Sequence, residues 1–70
     1  MAEIKVYYDH VANSLTVWFG NPKDEYICQE TAEEVVMMKN RKGEVVGFEK
    51  LNFEVTKPDH LKVAFETTAS

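Results

Sequence analysis

Residues 40–53 read NRKGEVVGFEKLNF, and their pattern decides the fold. Asn40–Gly43 is a polar turn of hairpin type, with Gly43 at the position that most needs a positive φ. The preceding VVMMK, Val35–Lys39, reads as a strand apolar on both faces, its methionines suited to irregular neighbours. The return strand runs over Glu44–Phe53 and changes phase along its length. Val46 and Phe48 share one parity, whereas Leu51 and Phe53 have the other. A lone glycine inside a strand marks a bulge, and one extra residue at Gly47 restores a common face.

The flanks repeat the period of two. In EIKVYY, Glu3–Tyr8, the residues Ile4, Val6 and Tyr8 fall on one side and Glu3, Lys5 and Tyr7 on the other. That alternation predicts a half-buried strand. DHVANS, Asp9–Ser14, is turn chemistry: the Asp9 side chain can accept from the backbone N–H two residues on, and Asn13 tolerates the left-handed region. LTVWF, Leu15–Phe19, alternates again, so the two strands form a hairpin. GNPKDE, Gly20–Glu25, is a break. Tyr26–Glu34 is less decided. Thr31 and Glu34 stand at capping-box spacing, but no apolar 3.6-residue stripe follows, so a short extended piece and then a loop are expected. TKPD, Thr56–Asp59, turns the chain into LKVAF, Leu61–Phe65, whose alternation predicts a last strand before a polar tail from about residue 66. The expected fold is mainly β: one small domain over residues 1–70, an antiparallel sheet or meander of four to five strands with little helix.

A chain of 70 residues hides only about 60% of the surface its unfolded form exposes, so its core is thin. Natural domains of this size add disulfides, a metal or a partner. Cys28 is the only cysteine, which excludes an internal disulfide, and no Cys/His set stands at zinc spacing. Self-association as a homodimer is the remaining supplement. The aromatic side chains, 11% of the chain, point the same way.

A net charge of −4 argues against nucleic acid, because phosphate binding works through clustered cations and only Lys39, Arg41 and Lys42 group together here. No apolar run nears the roughly 20 residues that cross a bilayer. The charged, alternating N-terminus carries no apolar signal core, and a lone thiol fits a reducing compartment. A cytoplasmic location is expected, with no membrane partner.

Two stretches carry a resemblance. YYDHVANSLTVWF is similar to the first signature of domain of unknown function 2283, a family of short uncharacterised bacterial proteins, through Tyr8, Asp9, Ala12 and Leu15. NRKGEVVGFEKLNF resembles its second signature through Gly43, Val46, Gly47 and Glu49. The likeness runs from Ile4 to Asn52. Asn13 stands where the family usually has Asp, and the turn Lys39–Lys42 is basic where the family's is acidic, which weakens any metal reading there. The resemblance implies a small β fold and an operon-type partner role, without an activity.

Several residues are candidates for chemistry. Asp9 and His10 could form an acid–base pair, but neighbours on a turn rarely aim at one substrate, and an Asx-type turn is the simpler account. Cys28 with His10 or His60 could supply a nucleophile and base, yet no acyl-transfer motif surrounds it. Glu49 either takes a cation or a partner's arginine where Gly47 allows close approach, or faces solvent against a cross-strand lysine. Tyr7 and Trp18 share the face opposite the core set, where either the C-terminal strand covers them or a partner does. The structural motif is Tyr8, Asp9, Asn13, Gly43 and Gly47, and the interaction candidates are Tyr7, Trp18 and Glu49. No catalytic, cofactor or metal residue is assigned. The expected function is a non-enzymatic interaction module, a homodimer or operon partner. The alternative is a small-molecule or metal-binding protein, with an enzymatic role left open. It would use Asp9, Glu49 and one histidine at a dimer interface, because so short a chain leaves little room for a pocket of about 300 Å3.

Overall fold

The computed structural model describes residues 3–56 and 61–69. Five strands form one antiparallel sheet: β1 Lys5–Asp9, β2 Ser14–Trp18, β3 Ile27–Glu30, β4 Val35–Lys39 and β5 Val45–Lys50. The fold is mainly β, as the alternation predicts. A single 3-10 turn, Pro22–Asp24, interrupts the crossing from β2 to β3, with the Asn21 side chain accepting from Lys23 N at 2.9 Å.

The spatial order is β1-β2-β5-β4-β3, so the strands are not laid down as a simple meander. After the first hairpin the chain crosses to the far edge, forms β3, and returns through β4 to place β5 against β2. This puts β5 in the middle of the sheet, with residues 47–50 of the deciding stretch paired on both sides.

Directly opposed residues share a face, so the registers sort the side chains. Val6, Tyr8, Leu15, Val17, Phe48, Met37, Val35 and Ile27 lie on one face, with Lys50, Lys39 and Gln29 among them. Tyr7, Thr16, Trp18, Gly47, Glu49, Val36, Met38 and Cys28 lie on the other, with Lys5, Asp9, Ser14 and Glu30. The first face is apolar and the second mixed. Neither carries a second layer among the described residues, and the consequence for burial is severe. Only Met38, 4% exposed, and Val46, 8% exposed, are buried apolar side chains.

The local chemistry of the turns is as the sequence predicts. Asp9 Oδ1 accepts from Val11 N at 2.9 Å and Ala12 N at 3.0 Å, and Asn13 takes φ +55. Asn40 Oδ1 accepts from Lys42 N and Glu44 N, and Gly43 has φ +82. Thr31 and Glu34 cap no helix. Thr31 N donates to Val35 O, and Glu34 takes φ +61 in the tight link from β3 to β4.

Three expectations change. A register shift does occur beside Gly47, but the extra residue is Val46: Met38 pairs with Gly47 and Lys39 with Val45. Val46 O accepts from both Phe19 N, at 3.0 Å, and Gly20 N, at 2.9 Å, so the irregularity is shared with the end of β2. Next, the phase change after Phe48 is not absorbed by a bulge. β5 ends at Lys50, and a bend with Asn52 at φ +53 carries the chain out of the sheet. Phe53 N then donates to Asn13 O, and the Phe53 ring meets Tyr8 edge-on at 6.0 Å. Finally, Leu61–Phe65 joins no strand. Val63 and Phe65 are 69% and 82% exposed. Alternation says which side of a strand is apolar, but it supplies no neighbour to bond with. The rest of the expected TKPD turn beyond Thr56, and His60, lie outside the described residues.

Candidate functional site

The family-type motif residues lie at two ends of one structural seam. Tyr8 sits on the apolar face of β1, where its hydroxyl accepts from Val55 N at 3.2 Å and its ring holds Phe53. Asp9 and Asn13 shape the β1–β2 turn, and Gly43 shapes the β4–β5 turn. Gly47 is fixed by its partner on β2. A β-carbon there would lie 2.7 Å from Trp18 Cε3 and 2.7 Å from Val17 O. The glycine leaves room for both the indole and the β2 backbone, contacts the sequence pattern does not reveal.

Tyr7 and Trp18 do share a face, since Tyr7 opposes Thr16 and Lys5 opposes Trp18. Trp18 is half-buried on Gly47, and Tyr7 is 55% exposed. The C-terminal segment does not form a strand over them. Glu49 is on the same face of central β5, half-buried, opposite Thr16 on one side and Val36 on the other. No cross-strand lysine faces it. Thr16 Oγ1 donates to Glu49 Oε2 at 3.3 Å. Lys50, on the opposite face, reaches Glu34 at 3.8 Å and the Leu51 carbonyl at 3.1 Å instead.

The other candidates are kept apart. Cys28 lies on β3 at one edge of the sheet, whereas His10 follows β1 at the opposite edge. The thiol donates to Glu25 Oε2 at 2.6 Å. That bond to a carboxylate, with slight desolvation and the charges of Glu25 and Glu49, pushes the thiol above its ordinary value and away from thiolate reactivity. Asp9 is held below the usual carboxylate value by the Ala12 and Val11 N–H groups, as a turn acceptor rather than a proton donor. Among the described residues, no group of three or more His, Cys, Asp or Glu side chains converges as metal ligands would.

These turns, the Tyr8 clasp and the Gly47–Trp18 contact fall within one family pattern: the model for a protein of unknown function, DUF2283, matches residues 5–53. The chain belongs to the DUF2283 family. The DUF2283 match begins with β1 and ends at Phe53, the residue that returns to Tyr8, so it takes in the whole sheet and omits the tail. No curated protein and no solved structure matches the chain.

The basic turn folds back so that the Arg41 guanidinium lies 4.6 Å from the Tyr26 ring centroid, a cation–π contact. Between this turn and the Pro22–Asp24 turn lies an open cleft of about 450 Å3, larger than so short a chain was expected to offer. It is lined by Lys23, Arg41 and Lys42 against Asp24, Glu25 and Glu44, so its charges balance and favour neither an anion nor a cation. Among the described residues no helix is long and apolar enough to cross a membrane.

Proposed function

We propose that the protein is a non-enzymatic interaction module that acts as a homodimer, with a second copy closing the apolar sheet face. The observation that carries this reading is the near absence of a core: among the described residues only Met38 and Val46 are buried apolar side chains. Val6, Leu15, Val17, Met37, Phe48 and Ile27 share one face, on which Val6 and Ile27 are exposed and the other four only half-buried. Fully burying each such side chain is worth about 1.5–3 kcal/mol, part of which a lone single-layer sheet forgoes. Stacking two sheets about 10 Å apart recovers it. The mixed face with Tyr7, Trp18 and Glu49 then stays free for a protein partner, for which aromatic anchors beside a carboxylate are suited. In this reading the protein works in the cytoplasm, where Cys28 stays reduced.

Sedimentation equilibrium of the 8.1 kDa chain tests it, with a dimer mass expected at micromolar concentration. Val6→Asp and Ile27→Asp, both at exposed positions of the apolar face, should shift the mass to monomer while the β-type circular dichroism persists. A monomeric wild-type chain with cooperative unfolding would overturn the proposal.

A further inference from the structure

Residues 61–66, LKVAFE, have the composition and alternation of a strand, yet they lie outside the sheet with Val63 and Phe65 in solvent. At the same time β1 is an end strand, so its outer edge carries no strand among the described residues. An open edge of this kind is a template for another chain. The two match. Along β1, Lys5, Tyr7 and Asp9 share one face while Val6 and Tyr8 share the other. If residues 62–66 run antiparallel to β1 with Lys62 opposite Asp9, then Glu66 falls opposite Lys5. In the same register Val63 opposes Tyr8 and Phe65 opposes Val6, on the apolar face. A parallel alignment sets Lys62 by Lys5 and Glu66 by Asp9, like against like, which is unfavourable. The other edge, β3, offers Glu30 to Lys62 but leaves Glu66 beyond the strand, at Tyr26.

We propose that Lys62–Glu66 of each copy adds to the β1 edge of a second copy as an antiparallel sixth strand. The proposal rests on the homodimer reading and specifies what closes that dimer. The single chain holds both the segment and the edge and leaves them apart, so a second copy is the component it lacks. Exchange in both directions is self-complementary, as a two-fold dimer requires. Area argues the same way. Five strands at about 4.8 Å spacing and five residues at about 3.4 Å give a face on the order of 400 Å2 in projection. An exchanged strand adds contact area to such a small face, toward the area a stable interface needs. The chain also leaves the sheet beside β1, where Val55 N meets the Tyr8 hydroxyl, so the tail starts next to such an edge.

The test is charge reversal in the full chain. Lys5→Glu and Glu66→Lys each put like charges opposite each other at both ends of a two-fold exchange, and each should weaken dimerisation by about tenfold or more, since opposed charges act directly across strands. The double variant K5E/E66K should restore wild-type affinity. Mixing the two single variants should produce heterodimers, because every exchanged strand in the mixed pair meets its opposite charge. Circular dichroism checks that each variant keeps its sheet. Wild-type dimerisation with neither single variant weakened would overturn the strand exchange and leave the face-to-face dimer standing. A monomeric wild type would overturn both. Weakened single variants that gain nothing on mixing would also overturn the exchange.

Discussion

Trp18 lies across Gly47: a β-carbon at the glycine would come within 2.7 Å of the indole and 2.7 Å of the Val17 carbonyl oxygen. The indole can turn aside, but the carbonyl belongs to the neighbouring strand and cannot move without breaking the β2–β5 ladder. Gly47→Ala should therefore destabilise the fold by about 1–3 kcal/mol, the range for overpacking, read as a lower urea midpoint. Adding Trp18→Ala should not rescue it, because the carbonyl contact remains. Full rescue would show that the indole alone sets the requirement.

Gly43 poses the opposite problem. Nothing lies within 4 Å of its missing β-carbon, so space is not the constraint, but its φ is +82. Gly43→Ala should cost about 1 kcal/mol through backbone strain alone. Gly43→Asn should cost less, since asparagine visits the left-handed region more readily. Thermal unfolding of the two variants separates conformation from packing.

Asp9 makes the stability of the first turn depend on pH. Two N–H donors, from Ala12 and Val11, hold its folded-state pKa below the ordinary 3.8. A depressed carboxylate contributes stability that is full above the unfolded value and is lost as pH falls through the folded one. Titration of the Asp9 carboxyl by NMR should give a midpoint below 3.8. Asp9→Asn keeps an acceptor for the turn and should remove this part of the acid dependence.

The Cys28 thiol should be slow to alkylate at neutral pH despite its exposure, because it donates to Glu25 Oε2 at 2.6 Å. Glu25→Ala removes the acceptor and the nearby negative charge together. The pH midpoint of iodoacetamide reaction should then move down. An unchanged midpoint would mean that the hydrogen bond is not populated in solution.

What the sequence made legible was chemistry confined to a few consecutive residues. Asp9, Asn13 and Gly43 each solve a turn with their own atoms, alternation exposes β1 and β2 because a strand's faces are written along it, and β4 shows as a short run apolar on both faces. Strand order is another matter. Nothing in Val45–Lys50 announces that it will pair with Ser14–Trp18, and so Gly47's reason, the close approach of the Val17 carbonyl and the Trp18 indole, stays hidden until the register is known. The Arg41–Tyr26 stack is concealed likewise, since it joins two turns that only the sheet brings together. Leu61–Phe65 shows the converse error, an impeccable alternation without a neighbour. For Glu49 the pattern leaves two readings open, a carboxylate for a cation or a partner's arginine and a solvent-facing residue against a cross-strand lysine. Its true neighbours, Thr16 and Val36, follow from the pairing and not from the pattern.

The central place of β5 also sets the order of assembly. β1 with β2, β3 with β4, and β4 with β5 are all joined by short turns, whereas the β2–β5 seam, Leu15 with Lys50 through Trp18 with Gly47, unites segments distant along the chain. Closing a long loop costs entropy before the contacts repay it. The slow event in folding is therefore the docking of two preformed pieces along that seam. Substitutions in the outer strands, whose hairpins form before docking, will register in the refolding rate, while contacts of the seam completed after the transition state will register mainly in unfolding.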